Sequence, residues 1–147
     1  MSDLRHLYQE VILDHNKRPR NFRTIESCSH HADGYNPLCG DKVTVYLDIQ
    51  EGIIKDVAFQ GSGCAISTAS ASLMTEALKG KAVADVEDLF QDFHDVVTGT
   101  AEPSRKLGKL AILAGVSDYP SRVKCATLAW HALHAALEHQ TQPVSTE

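Results

Sequence analysis

Cysteines at positions 28, 39, 64 and 125 and an aspartate at position 41 carry the reactive chemistry of this 147-residue chain. Asn36-Pro37-Leu38-Cys39-Gly40-Asp41 is a turn-forming sequence. Pro37 fixes one dihedral and Gly40 permits a turn, so the Cys39 thiol and the Asp41 carboxylate can be aimed at one point, as a metal requires. Cys64 falls where Gly61-Ser62-Gly63 gives way to a helical pattern. Free amides and the positive end of a helix dipole favour a thiolate there. Cys125 follows Pro120 in the first turns of another helix, with Arg122 one turn upstream and Lys124 beside it, cations that again favour ionised sulfur. Taken singly, each has a plain alternative: an incidental loop thiol at position 39, core packing at 64 and 125. Together, three thiolates and a carboxylate, each at the start of a regular element, supply the four ligands of a closed zinc site. The same donors also serve a [2Fe-2S] cluster. Three thiolates and a carboxylate exceed the charge of a dication, which Arg122 would help offset, whereas Lys42 and Lys124 read as solvated surface.

Other candidates carry less. Cys28 with His30 and His31 reads as a thiol near solvated histidines and receives no role. His131 and His134, one turn apart, could ligate a metal but read as ordinary amphipathic surface. Ser67, Thr68, Ser70 and Ser72 read as tight helix packing.

The elements that must position these groups follow from periodicity. Leu4, Leu7, Tyr8, Val11 and Ile12 mark a first helix that Pro19 stops. Residues 20 to 38 read as an extended or looped approach to a sheet. Val43, Val45, Leu47 and Ile49 alternate with polar residues as a strand does, and Ile53 to Gln60 returns as its hairpin partner. Helices follow at Cys64 to Lys79, at Ala84 to Val97 with Asp85 as cap, at Ser104 to Ala114, and from Pro120 to His139. Hairpin first and helices after predict an α+β fold, a small antiparallel sheet of about three strands with helices on one face. One domain over 1–139 is expected, with a frayed tail at 140–147. Hydrophobic residues at 43% allow a core without disulfides, and a net charge of -5 gives no footprint for nucleic acid. No apolar run reaches membrane-spanning length, so no membrane partner and a cytoplasmic location are expected.

Three segments, Asn36 to Asp41, Gly61-Ser62-Gly63-Cys64-Ala65-Ile66-Ser67 and Arg122-Val123-Lys124-Cys125-Ala126-Thr127-Leu128-Ala129-Trp130, resemble the signatures of the IscU-like (NifU N-terminal) iron-sulfur cluster assembly family. Leu7-Tyr8-Gln9-Glu10-Val11-Ile12-Leu13-Asp14-His15 also fits. Within the family the SufU branch is more similar: Lys124 stands where IscU proteins usually carry histidine, and Thr100 to Tyr119 resembles an additional SufU segment. The resemblance implies zinc at Cys39, Asp41, Cys64 and Cys125, with Arg122 close by. It implies a sulfur-transferring co-substrate of a SufS-type cysteine desulfurase rather than a stand-alone enzyme, with Cys39 as persulfide acceptor and downstream Suf assembly proteins as recipients. The alternative it implies is a scaffold carrying a [2Fe-2S] cluster or iron.

Overall fold

The computed structural model describes residues 2–37, 40–102, 105–138 and 144–145; of 2–7, 105–106 and 144–145 only the backbone is described. Helix α1 (Ser2–Lys17) places Ile12 and His15 in the interior. Strands β1 (His30–Asn36), β2 (Asp41–Gln50) and β3 (Ile53–Ser62) form an antiparallel sheet, with β2 in the middle. The β2–β3 hairpin turns on Glu51 and Gly52, both at positive φ (53° and 77°), the pairing that suits the twist of a two-residue turn. Val43, Val45 and Leu47 point inward with Val57 and Phe59, as their alternation predicts.

Helix α2 (Ala65–Leu78) packs on β3, and helix α4 (Pro120–Leu137) lies across β1 and β2. The two helices touch closely enough for the Ser70 hydroxyl of α2 to donate to the Ala126 carbonyl of α4 at 2.5 Å. Helix α3 (Val83–Val97) and a 3-10 segment (Arg105–Asp118) complete the helical layer, while Tyr35 and Lys42 lie exposed on the opposite sheet face. The arrangement is the expected α+β architecture, with helices on one face of an antiparallel sheet.

Four expectations change. The stretch 20 to 38 contains β1, which periodicity missed because its buried residues are Ala32, Gly34 and Asn36 rather than large aliphatics. A Cβ at Gly34 would stand 3.1 to 3.3 Å from Leu128, Val43 and Ala132, so the strand is small-sided where α4 rests on it. The helix expected at Ser104 to Ala114 is a 3-10 segment with a kink at Gly108 (φ 53°). Its buried residues Leu107, Leu110, Leu113 and Val116 recur every third position, the repeat of a three-residue turn. Asp85 lies in the first turn of α3, not at its cap; Ala82 occupies the cap without a side-chain bond. Finally, Val144–Ser145, within the stretch expected to fray, pairs in parallel with β1 as a short strand β4, using the hydrogen-bonding edge that β1 leaves open.

Candidate metal centre

The end of β1, the start of β2 and the first residues of α2 and α4 converge at one edge of the sheet. Asp41 opens β2 and is fully buried, Cys64 caps α2, and Cys125 lies buried one turn into α4. One donor atom from each of these three residues lies within 4.8 Å of the others. Cys39 lies outside the described residues.

Local structure explains each placement. Gly63 precedes the cap, and a Cβ there would stand 2.6 Å from Asp41 Oδ1, so only glycine lets the chain pass the carboxylate. The amide of Cys64 donates to Asp41 Oδ1 at 2.8 Å. The Cys64 sulfur accepts from the Ser67 amide at 3.4 Å, the helix-capping position that serine or aspartate usually fills. Cys125 is buried by α4 packing on β1, and its thiol reaches the Ser121 carbonyl at 3.5 Å.

These surroundings ionise one sulfur. The Cys64 thiol is pulled down to about 6, first by its hydrogen-bonding contact with the Cys125 thiol and then by the Ser67 and Ile66 amides; burial and the Asp41 carboxylate oppose the shift. At neutral pH, Cys64 is therefore a thiolate beside a buried carboxylate. A thiolate, a second thiol and a carboxyl group so close form a donor set that a cation would complete. Ligands on one tetrahedral zinc stand roughly 3.3–3.8 Å apart, and Cys64 Sγ lies 3.9 Å from Asp41 Oδ2. The donor set fits zinc in kind, at spacings up to 4.8 Å, somewhat wider than a bound ion would hold.

Asn36 was quoted by the sequence only as part of a turn. Buried at the end of β1, it aims Nδ2 at Asp41 Oδ2 (3.4 Å) and Cys125 Sγ (3.7 Å), and its Oδ1 has no hydrogen-bond partner among the described residues. It spans two of the donors. Only the burial of an asparagine just before a proline signals this. Arg122 is exposed, within electrostatic reach of Tyr8, and Lys42 lies over the Tyr35 ring at 5.9 Å. Cys28 is half-buried on the approach to β1 and does not join the group. Ser67, Ser70 and Ser72 are buried on α2, as tight packing predicts.

The profile of the NifU-like N terminal domain family matches residues 7–126. The chain is 42% identical over 139 residues to the iron-sulfur cluster assembly scaffold protein IscU of Streptococcus pyogenes serotype M1, covering 94% of this chain and 87% of that one. It is 43% identical over 128 residues to the zinc-dependent sulfurtransferase SufU of Bacillus subtilis (strain 168), covering 86% of each. Among solved structures, the fold is similar to one assigned as an iron-sulfur cluster assembly scaffold protein for the SUF system of Fervidobacterium islandicum AW-1. That match has a TM-score of 0.83 and 35% identity, over 87% of this chain and 94% of that one.

Proposed function

This chain belongs to the NifU-like N-terminal domain family, and on that premise we propose that it is a zinc-dependent sulfur acceptor for a SufS-type cysteine desulfurase, feeding iron-sulfur cluster assembly. One observation carries the reading: two thiols and a fully buried carboxyl group from three separate elements meet within 4.8 Å. Asp41, Cys64 and Cys125 would hold the zinc, with Cys39 as fourth ligand and acceptor. When bound, zinc supplies the positive charge that keeps neighbouring thiols deprotonated at neutral pH.

The chain's own residues define the rest. Gly40 (φ 73°) gives the acceptor loop a conformation open to few other residues, which suits a cysteine that must present itself to a partner. The Cys39 thiolate attacks the terminal sulfur of the desulfurase persulfide. A new S–S bond forms on Cys39, the old one breaks, and its electron pair leaves with the desulfurase thiolate, so no external oxidant is consumed. Exposed Arg122, one turn before Cys125, adds positive charge at the rim. The recipients are downstream Suf assembly proteins.

Mass spectrometry after incubation with desulfurase and cysteine tests the acceptor: one or more added sulfurs on the native chain and none on Cys39→Ala are expected. Undiminished uptake by Cys39→Ala overturns it. The similarity to IscU, as close as that to SufU, favours one second reading, a [2Fe-2S] scaffold on the same donors. Metal analysis of protein produced with both zinc and iron available decides between them. Zinc without sulfide supports transfer; a coloured, iron- and sulfide-bearing form supports the scaffold.

A further inference from the structure

Two neighbours place Asn36 at once. It ends β1 directly opposite Asp41, the first residue of β2, so the strand register alone brings the two side chains together. Helix α4 lies across the same strand and delivers Cys125 to that end. Fully buried there, the Asn36 amide reaches two of the three donors, with Nδ2 at 3.4 Å from Asp41 Oδ2 and 3.7 Å from Cys125 Sγ. Backbone serves the remaining donor atoms: the Cys64 amide holds Asp41 Oδ1, and the Ser67 amide holds the Cys64 sulfur. Asn36 does with a side chain what those two amides do with the main chain.

For the fold alone this is a poor choice of residue. With its NH2 end turned inward, the amide leaves Oδ1 buried and without a hydrogen-bond partner among the described residues. An apolar side chain of the same shape would avoid that loss. The compensating gain lies in the loaded centre. A cysteine or carboxyl group that holds a metal ion is deprotonated and can only accept. Asp41 Oδ2 and Cys125 Sγ then both need the donor end of the amide, whose two N–H bonds allow one for each. Three thiolates and a carboxylate also exceed the charge of a dication. Arg122 is exposed at the rim, whereas the Asn36 dipole lies buried beside the donors, where a low dielectric strengthens it.

We propose that Asn36 is a positioning residue for the metal: its side-chain amide orients Asp41 and Cys125 toward the ion and tempers the donor strength of the Cys125 sulfur. The inference rests on the zinc site proposed above and supplies that site with the outer hydrogen bonds that orient and tune metal ligands. It also bears on sulfur transfer. When Cys39 leaves the ion to take up sulfur, Asp41, Cys64 and Cys125 must retain the zinc by themselves. Asn36 holds two of those three in place through the exchange.

The test compares the native chain with Asn36→Leu, which keeps the branched shape and removes the donor and the orphaned carbonyl together. Zinc affinity, read by chelator competition, should fall about tenfold or more, while the urea midpoint of the metal-free protein stays level or rises. In cobalt-substituted protein the sulfur-to-cobalt charge-transfer band should move to longer wavelength, because a thiolate that loses a hydrogen bond gives up its electrons more readily. Native zinc affinity in the variant, or an unmoved band, would overturn the inference and leave the zinc site standing. A loss of metal-free stability that matches the loss of affinity would also overturn it, by assigning Asn36 to the fold. A native chain that takes up no zinc would remove the zinc site itself, and this inference with it.

Discussion

Helix α2 carries a polar cluster at each end, and the two are built on opposite principles. At its later turns Ser72 Oγ accepts from the Arg20 amide at 2.8 Å and lies 2.7 Å from His15 Nδ1. Thr75 donates to the Ser72 carbonyl at 2.7 Å and accepts from Asn21 at 3.0 Å. The Ser72 hydroxyl thus bridges the Arg20 amide and one ring nitrogen of His15, whose other ring nitrogen, Nε2, faces Glu76 Oε1 at 3.5 Å. Serine, histidine and glutamate in that order look like a nucleophilic triad, yet Ser72 is fully buried and no substrate can reach it. The bonds are short, and the cluster clasps α1 and the chain after it to α2. At the first turn the Cys64 amide bonds Asp41 at 2.8 Å, but the contacts made by sulfur and between side chains run from 3.4 to 3.9 Å, and an amide oxygen of Asn36 is left over among the described residues. Buried polar groups that satisfy one another rigidify a fold, whereas those left wanting mark where something else must enter.

Substitutions should separate the two ends, beginning with the largest effect. Asp41→Asn removes a buried charge from the incomplete end; zinc affinity, read by chelator competition, should fall by about 4 kcal/mol, roughly a thousandfold, while the metal-free protein keeps or gains stability. A large loss of metal-free stability would show that this end, too, is structural. Ser72→Ala at the complete end strips partners from His15 and the Arg20 amide; denaturant unfolding should show a loss of about 2–3 kcal/mol, with zinc stoichiometry unchanged.

Acid should act on the same clasp. Burial, with Arg20, holds the His15 pKa below its ordinary 6.5, so the unfolded chain takes up the proton more readily. The stabilising contribution is complete above pH 6.5 and declines as pH falls below it, which urea midpoints across pH 7 to 5 would reveal; His15→Gln should flatten that part of the profile. Smallest in energy is the ionisation of Cys64 itself. In zinc-stripped protein its alkylation by iodoacetamide should follow a midpoint of about 6, while exposed thiols follow about 8.5. A midpoint near 8.5 for Cys64 would erase the contrast.

How much of this was legible in the sequence depended on whether a signal was local. The alternation of Val43, Val45 and Leu47 gives β2 because a strand's own period is visible within seven residues. Gly61-Ser62-Gly63 before Cys64 marks the strand-to-helix transition, although Gly61 itself still pairs within β3. β1 was hidden because α4 rests on Gly34 and Ala32, and small residues dictated by a distant helix carry no hydrophobic period. The 3-10 segment was misread as α because Leu107, Leu110 and Leu113 fit either repeat over one or two turns. Asp41, Cys64 and Cys125 were singled out from their positions at element starts, but the role of Asn36 depends on a contact 89 residues away in the chain.

The sulfur of Cys64 also has a second occupation: it closes the first turn of α2 through the Ser67 amide. An electron pair engaged elsewhere is less available to that N–H, so whatever captures the sulfur loosens the turn behind it. Hydrogen exchange at Ser67 would then run slow or fast according to what the thiolate holds, giving a backbone record of cargo several bonds from the chemistry.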